Sequence, residues 1–196
     1  MYIIVGLGNP GEEYVSTRHN AGRMAVESFI KRTELPGAVL SSKYASLMSE
    51  GKVGKEKVLV LMPETYMNKS GAAIKNLVTS EKKAETLIVV HDDLDMPLGK
   101  IKILFNRGTG GHNGLESIRK VTKTDGYIRV KIGISPTTPS GKLKKPDSSK
   151  IMDFIVAEFK KPELETMKKT VKKAAEAIEM IVTEGKEKAQ ETFNQS

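Results

Sequence analysis

Short apolar runs separated by polar, glycine-rich segments recur along this chain and predict strands that alternate with helices. The runs Tyr2 to Val5, Val58 to Met62 and Thr86 to Val90 are almost wholly apolar, which is typical of strands buried on both faces. The other predicted strands are Tyr44 to Glu50, exposed or at an edge, Lys100 to Phe105, half exposed, and Tyr127 to Ile134.

Apolar residues three or four positions apart predict the helices. One helix is expected from about Asn20 to Arg32 with Asn20 as its N-cap, and another within Thr65 to Val78, capped by Thr65 or Asn68. A short helix is expected on Leu115, Ile118 and Val121, and a long amphipathic helix on Leu164, Met167, Val171, Ala174, Ile178 and Ile181, with Gly185 as its stop.

Strands that alternate with helices predict an α/β layered fold, and short turns between some neighbouring strands predict a mixed sheet. The length of 196 residues suits one domain, 1–196, with its own core. The proline- and lysine-rich segment Ser135 to Lys150 is expected to be a mobile surface loop rather than a linker between domains.

Composition narrows the class of protein. Apolar residues make up 38% of the chain and charged residues 29%, and no apolar run has the roughly 20 residues that cross a bilayer. The first residues lack a basic region followed by a long apolar stretch and a small-residue cleavage site, so export is not expected. The chain contains no Cys and therefore no disulfide or thiolate metal site. We expect a cytoplasmic protein with no membrane partner.

The net charge of +8 is concentrated in one part of the chain. Pro97 to Lys150 holds twelve basic residues against three acidic ones. Such a stretch suits a face that binds a polyanion, because phosphate contacts dominate nucleic-acid affinity. A solvated lysine-rich surface would have the same composition, and charge alone does not choose between the two.

The turn after the first strand has the pattern G-x-G-x-x-G, at Gly6 to Gly11, which is the fingerprint of a dinucleotide-binding turn. Such a turn must open an amphipathic helix, yet Gly11 to Arg18 has no apolar stripe. The acidic residue expected about 20 positions on should end a second strand, whereas Glu27 lies in a predicted helix. A nicotinamide enzyme is therefore disfavoured.

His19 is one of three histidines and a candidate general base, with Asp92 at the end of a buried strand as the carboxylate that would orient it. A nucleophilic triad of Ser16, His19 and Asp92 is disfavoured because no G-x-S-x-G elbow is present. This leaves water as the nucleophile.

A metal site could be drawn from the histidines and carboxylates, but none of the known zinc spacings is present, so we expect no metal. The residues considered were His19, His91, Asp92, Asp93 and His112. The loop amides of Asn9, Asn68 and Asn113 could orient a carbonyl, a water or a ribose, although each is also an ordinary turn or cap residue.

Together these segments resemble the bacterial peptidyl-tRNA hydrolase family over nearly the whole chain. The matching blocks are GLGNPG with Tyr14, TRHN at Thr17 to Asn20, PETYMNKSG at Pro63 to Gly71, HDDLDMPLGKIKI at His91 to Ile103, GTGGHNGLESI at Gly108 to Ile118, and DFIVAEF at Asp153 to Phe159.

The resemblance implies a monomeric, three-layer α/β/α sandwich around a twisted mixed sheet, with a long C-terminal helix. It also implies hydrolysis of the ester between a peptide and the tRNA 3′ ribose, without metal or organic cofactor. Carried onto this chain, His19 would activate water, Asp92 would stabilise the protonated imidazole, and Asn9 would distinguish peptidyl from free aminoacyl groups. Tyr14, Tyr66, Asn68 and Asn113 would line the substrate site, and Asn68 is also a candidate oxyanion donor.

The basic stretch fits this resemblance. Lys100, Lys102, Arg129 and Lys131 lie on predicted strands and are candidates for gripping acceptor-stem phosphates. Relatives commonly have arginine where this chain has Lys131, which keeps the charge and loses the bidentate fork. The competing hypothesis is a non-catalytic RNA-binding module of the same fold, for which a base and its orienting acid would have no physical use.

Overall fold

The computed structural model describes residues 1–195. Within them, seven strands form one sheet, in the order β2-β3-β4-β1-β5-β7-β6. The strands are β1 (Tyr2–Gly6), β2 (Val39–Ser41), β3 (Ser46–Val53), β4 (Glu56–Pro63), β5 (Leu87–Pro97), β6 (Ile101–Phe105) and β7 (Ile128–Ser135). β1 pairs in parallel with β4 and β5, and β5 with β7, whereas the pairs at the two ends are antiparallel. The predicted mixed sheet is confirmed.

Helices cover both faces of the sheet. They are α1 (Ala21–Arg32), α2 (Glu81–Ala84), α3 (Asn113–Thr122), α4 (Ile151–Val156), α5 (Lys161–Glu184) and α6 (Lys186–Phe193), with 3-10 turns at Glu12–Tyr14, Arg18–Asn20, Met67–Ile74 and Ser148–Lys150. α1 and α5 pack on one face, and the Met67–Ile74 turn and α3 on the other. The three-layer α/β/α sandwich with its long C-terminal helix α5 is therefore confirmed.

The apolar runs are continuous because both faces of the central strands are buried. In β1, Ile4 belongs to the core beneath α1 and α5, while Ile3 and Val5 belong to the core beneath α3. Fully burying one such side chain stabilises the fold by about 1.5–3 kcal/mol. The central strands thereby hold the loops at their carboxyl ends in fixed positions.

β5 is longer than predicted. We expected it to end at Val90 and release His91 to Asp95 into a loop, but its pairing with β7 continues through Asp93, opposite Gly133, and resumes at Pro97. Parallel pairing satisfies the backbone there even though the side chains have become polar. Asp92 is therefore held by a strand rather than by a loop.

The helix predicted within Thr65 to Val78 is a 3-10 helix, Met67–Ile74. The α-helical bond from the Gly71 amide to the Met67 carbonyl is replaced, because that amide donates to Ser117 Oγ and the carbonyl accepts from Ser70 Oγ. Neither Thr65 nor Asn68 caps it, since Tyr66 holds the cap position without a side-chain bond.

Other boundaries also differ from the predictions. Asn20 precedes α1 without capping it, β2 rather than β3 forms the sheet edge, and Lys100 lies just before β6. Gly185 does end α5, at φ 94°. The sequence pattern missed β2, α2, α4 and α6, all of them short. Within residues 1–195, no helix combines the length and apolar composition needed to cross a bilayer.

Candidate active site

The turn after β1 presents Asn9 and His19 from opposite ends of one polar segment. The two are tied by Asn20, whose Oδ1 accepts from the Asn9 amide at 2.8 Å and whose Nδ2 donates to the Asn9 carbonyl at 2.9 Å. Met67 N donates to Asn9 Oδ1 at 3.0 Å, which fixes the orientation of the side-chain amide. The other atom of that amide, Nδ2, has no hydrogen-bond partner among residues 1–195. The side chain of Asn20 thus holds Asn9 instead of capping α1.

The glycines of this turn serve close packing and not phosphate binding. A Cβ on Gly8 would lie 2.7 Å from the Arg23 side chain, and one on Gly6 would lie 2.3 Å from Val26. Both neighbours belong to α1, which begins only at Ala21. The glycines are followed directly only by the 3-10 turn Glu12–Tyr14, and no α-helix opens there as a dinucleotide-binding turn requires.

Asp92 is the centre of the site and receives two histidines. His19 Nδ1 lies 2.9 Å from Asp92 Oδ1 and 3.0 Å from Oδ2. His112 Nε2 lies 3.0 Å from Oδ1. Asp92 is 3% exposed and His19 5%, so these bonds form in a region of low dielectric where they are strong. The structure thus brings together the predicted pair, His19 and Asp92.

The surrounding donors assign the tautomers of both rings. His112 Nδ1 accepts from the amides of Gly114 at 3.1 Å and Leu115 at 3.4 Å, as the N-cap of α3. In neutral His112 the proton is therefore on Nε2, which donates to Asp92. His19 Nδ1–H likewise donates to the Asp92 carboxylate, which leaves a lone pair on His19 Nε2. That nitrogen has no hydrogen-bond partner within the described residues, and His19 lines a cavity.

The electrostatics match a base and its orienting acid. Burial opposes protonation of His19, but the charge of Asp92 and its hydrogen bond outweigh burial and raise the pKa of His19 above its ordinary value of 6.5. Burial acts to raise the pKa of Asp92, yet the two histidines hold it well below its usual range. Asp92 therefore stays a carboxylate throughout the neutral range.

The third histidine, His91, plays a different part. Its Nδ1 donates to the Asp92 carbonyl at 2.7 Å, and its Nε2 is buried without a partner within residues 1–195. Burial keeps the pKa of His91 well below its ordinary value, with a contribution from His112. His91 is thus a neutral ring that braces the backbone beside Asp92.

Among residues 1–195, one group of donors could hold a metal ion, namely His19, Asp92 and His112, whose ligand atoms lie within 4.8 Å of one another. The same atoms are already joined by N–H···O bonds. A metal ion would have to replace those protons, so the hydrogen-bonded arrangement accounts for the cluster without one.

A cavity of about 360 Å³ opens on this centre. Its walls are formed by the end of β5, the loop Gly108 to Gly111 with Asn113, the side chains of Arg129 and Lys131 on β7, and α4. Asn9 and Asn20 line a second cavity, of about 300 Å³. Of the predicted substrate residues, Asn113 lines the first cavity. Tyr14, which is half-buried, and Tyr66 and Asn68, which are exposed, line neither cavity.

The predicted phosphate-binding residues have different environments. Lys100 and Lys102 are exposed, and Lys102 is in register with Lys131 across the β6–β7 pair. Lys131 is paired with Asp93. Arg129 is buried, and its Nη1 donates to the Gly108 carbonyl at 2.7 Å, while its Nε and Nη2 have no hydrogen-bond partner in the described part of the chain.

Comparison with known proteins decides the family. The family model described as peptidyl-tRNA hydrolase matches residues 3–196. The chain belongs to the peptidyl-tRNA hydrolase family. It is 42% identical over 195 residues to the peptidyl-tRNA hydrolase of Carboxydothermus hydrogenoformans, covering 99% of this chain and 98% of that protein. It is 40% identical to that of Caldanaerobacter subterraneus, over 99% of this chain and the full length of the relative.

Solved structures of the family agree with the fold. The crystal structure of peptidyl-tRNA hydrolase from Acinetobacter baumannii superposes with a TM-score of 0.86 at 29% identity, covering 99% of this chain and 94% of that one. A crystal structure of a peptidyl-tRNA hydrolase in complex with N-propanol gives a TM-score of 0.87, also at 29% identity, with the same coverage. The family resemblance inferred from sequence blocks is thereby confirmed.

Proposed function

We propose that this chain is a carboxylic-ester hydrolase that cleaves the ester between the peptide and the 3′ ribose of peptidyl-tRNA. The observation that carries the proposal is His19, with Nδ1–H on Asp92 and a free Nε2 lone pair on a residue that lines the cavity. Membership of the peptidyl-tRNA hydrolase family supplies the substrate class.

The first step is general-base attack. His19 Nε2 accepts a proton from water while the water oxygen bonds to the ester carbonyl carbon, giving a tetrahedral intermediate and an imidazolium. Asp92, whose carboxylate is ionised, stabilises that cation and keeps the proton of His19 on Nδ1. The negative charge on the former carbonyl oxygen requires a donor, and the side-chain amide of Asn68 is our candidate.

The second step returns the proton. The intermediate collapses, the bond from the carbonyl carbon to the ribose 3′ oxygen breaks, and that oxygen takes the proton from His19. The products are a peptide with a free carboxyl group and a tRNA with a free 3′ hydroxyl, and the imidazole is neutral again. No metal or organic cofactor takes part in these steps.

Asn9 is our candidate for the discrimination of peptidyl from aminoacyl substrates. Its amide Nδ2 is unpartnered within residues 1–195, while its other polar groups are held by Asn20 and Met67. A fixed donor of this kind suits the carbonyl of a peptide bond, which a free aminoacyl group lacks. Tyr14, Tyr66 and Asn113 are proposed to contact the rest of the substrate.

The tRNA phosphates are proposed to meet Lys100, Lys102, Arg129 and Lys131. Lys102 and Lys131 are neighbours across two strands, which gives a compact pair of charges beside the cavity. Lys131 must exchange Asp93 for a phosphate, which makes its contribution smaller than that of an unpaired lysine. We further propose that the chain acts in the cytoplasm as a monomer with one domain and has no membrane partner.

One assay tests the proposal. N-acetylaminoacyl-tRNA and aminoacyl-tRNA carrying the same amino acid are incubated side by side with the purified chain, and release of the acyl group is measured. We expect rapid release from the N-acetylated substrate only. A folded chain that binds tRNA and leaves both esters intact would overturn the proposal in favour of the non-catalytic RNA-binding module.

A further inference from the structure

Arg18, the residue before His19, is buried to an unusual degree for an arginine, with 4% of its surface exposed. Its Nη1 donates to the carbonyls of Ala157, at 3.2 Å, and Glu158, at 2.9 Å. Its Nη2 lies 2.7 Å from Glu163 Oε2. The reaction described above uses none of these contacts.

The backbone around Arg18 is tied to the same segment. The Arg18 amide donates to the Ala157 carbonyl at 3.2 Å, and the Phe159 amide donates to the Ser16 carbonyl at 3.0 Å. An isolated antiparallel bridge joins Thr17 to Glu158. The main chain leading into His19 is thus paired directly with the link between α4 and α5.

The guanidinium of Arg18 also reaches α4 itself. Its carbon lies 4.4 Å from the ring centre of Phe154 on α4 and 5.2 Å from that of Phe159 after it. α4 forms part of the wall of the catalytic cavity through Ile151, Met152 and Ile155. One side chain therefore joins the cavity wall to the residue next to the proposed base.

This arrangement is a costly way to achieve stability alone. Burying a guanidinium and a carboxylate costs several kcal/mol, and apolar residues of similar volume often stabilise a fold as well or better. Elsewhere in the chain, Arg32 of α1 pairs with Glu176 and Glu179 of α5 on the surface. Unlike Arg32, Arg18 is buried, it contacts the helix α4 of the cavity wall, and it is next to His19 in the chain.

We propose that Arg18 is a positioning residue that couples α4 to His19, so that the location of the cavity wall sets the orientation of the imidazole toward Asp92. Arg18 contacts Phe154 and the carbonyls of residues 157 and 158, so its position depends on the position of α4. The Ser16 to Arg18 backbone continues directly into His19, so a displacement of Arg18 also displaces the imidazole. Contact of a substrate with α4 then aligns the base. The expected change in kcat rests on the proposed hydrolysis, whereas the expected change in the orientation of the His19 ring does not.

The three histidines make a direct test, because the chain has no others. Long-range ¹H–¹⁵N spectra of the wild type, assigned with single-histidine variants, should show His19 and His112 as opposite neutral tautomers, Nδ1–H and Nε2–H. In Arg18→Met we expect the largest shift or broadening at His19, a smaller change at His112, which shares Asp92 Oδ1 with it, and none at His91. Arg32→Met, which removes a surface arginine paired with the same helix α5, should leave all three unchanged.

Kinetics on N-acetylaminoacyl-tRNA supply the second readout. We expect Arg18→Met to lower kcat about 10- to 100-fold, with a smaller change in KM, because misplacement of a base by a fraction of an ångström affects the chemical step. Arg18→Lys, which keeps the charge opposite Glu163 but loses the stacked fork, should fall between. Arg32→Met should keep wild-type kcat.

The outcomes separate coupling from a purely structural role. Equal disturbance of all three histidines in folded Arg18→Lys, or unchanged His19 signals with wild-type kcat in Arg18→Met, would overturn the inference. If Arg18→Met does not fold, Arg18→Lys and Phe154→Leu decide it by the same two readouts. A wild type that cleaves no peptidyl-tRNA would refute the proposed function, and the spectra would still test the coupling.

Discussion

His19 and His112 bind the same carboxylate, but they differ in what holds their second nitrogen. His112 ends a glycine-rich loop as the N-cap of α3, and its Nδ1 accepts two backbone amides. His19 lies on a 3-10 turn, and its Nε2 has no partner among residues 1–195. Both rings are within 3.0 Å of Asp92.

The comparison shows that contact with Asp92 does not make a histidine a base. A proton can be accepted only by a nitrogen with a free lone pair, and His112 has committed its lone pair to the helix N-terminus. Its role is to donate to Asp92 and fix the carboxylate. Of the two, only His19 combines the orienting carboxylate with a free acceptor nitrogen. Two histidines on one carboxylate therefore have different chemical uses.

Removing His19 should give the largest effect. We expect His19→Ala to lower kcat on peptidyl-tRNA by about 10²–10⁴-fold, the usual contribution of a general base, while the fold and tRNA affinity persist. Single-turnover release of the acyl group measures the loss, and circular dichroism and tRNA binding are the controls. Wild-type turnover in this variant would end the distinction between the two histidines.

Asp92→Asn should have the next largest effect, for a reason that the comparison makes specific. Because His112 must donate, it should orient the new amide with its oxygen in the place of Oδ1, which His19 Nδ1 also contacts, and its NH₂ in the place of Oδ2. His19 Nδ1–H then meets one acceptor and one donor, and the negative charge that stabilises its imidazolium is lost. We expect about 10²–10³-fold lower kcat. Wild-type kcat in Asp92→Asn would contradict this.

The pH dependence should report His19. The base must be neutral, and its pKa is raised by Asp92 above 6.5. The logarithm of kcat/KM should therefore rise with pH, with an inflection above 6.5, and fall about tenfold per pH unit well below it. The residual activity of Asp92→Asn should inflect at lower pH because the stabilising charge is gone. If the inflection lies at the same pH in the wild type and in Asp92→Asn, the rise of kcat/KM with pH belongs to a group other than His19.

Variants of His112 should have smaller effects and separate its two bonds. His112→Asn can still cap α3 but loses the donor to Asp92, whereas His112→Gln keeps an amide donor and weakens the cap. We expect about a 3- to 10-fold lower kcat for the Asn variant, since the carboxylate loses one of its donors. The Gln variant should lose thermal stability instead. A loss as large as in His19→Ala would make His112 a second catalytic residue.

The smallest effect is expected at the phosphate-binding candidates and serves as a reference for the histidines. Lys102→Gln should raise KM for tRNA substrates about 2- to 5-fold, leave kcat unchanged, and reduce the slope of log affinity against log salt by about one. Lys131→Gln should change less because Asp93 already pairs with that lysine. A change in kcat rather than KM would place these lysines in the chemical step.

The sequence pattern predicted the fold class and the pair His19 and Asp92, but it did not predict how they are held. Continuous apolar runs indicated the central strands, because burial on both faces removes the alternation that surface strands show. It missed that β5 continues through Asp92, that Asn20 holds Asn9, and that the second helix is a 3-10 helix. In each case a polar group forms a hydrogen bond with a residue far away in the sequence instead of a local one, and a local sequence pattern does not show such a bond.

Some properties were thus determined by the sequence alone: the α/β class, the family and the residue types of the site. They depend on local periodicity, on composition and on blocks of residues in order. The tertiary structure alone decided that His112 shares Asp92, that its lone pair is used by α3, that Lys131 pairs with Asp93, and that Arg18 joins α4 to His19. These contacts join residues from separate elements, and the fate of each lone pair or charge depends on which partner the fold brings within about 3 Å.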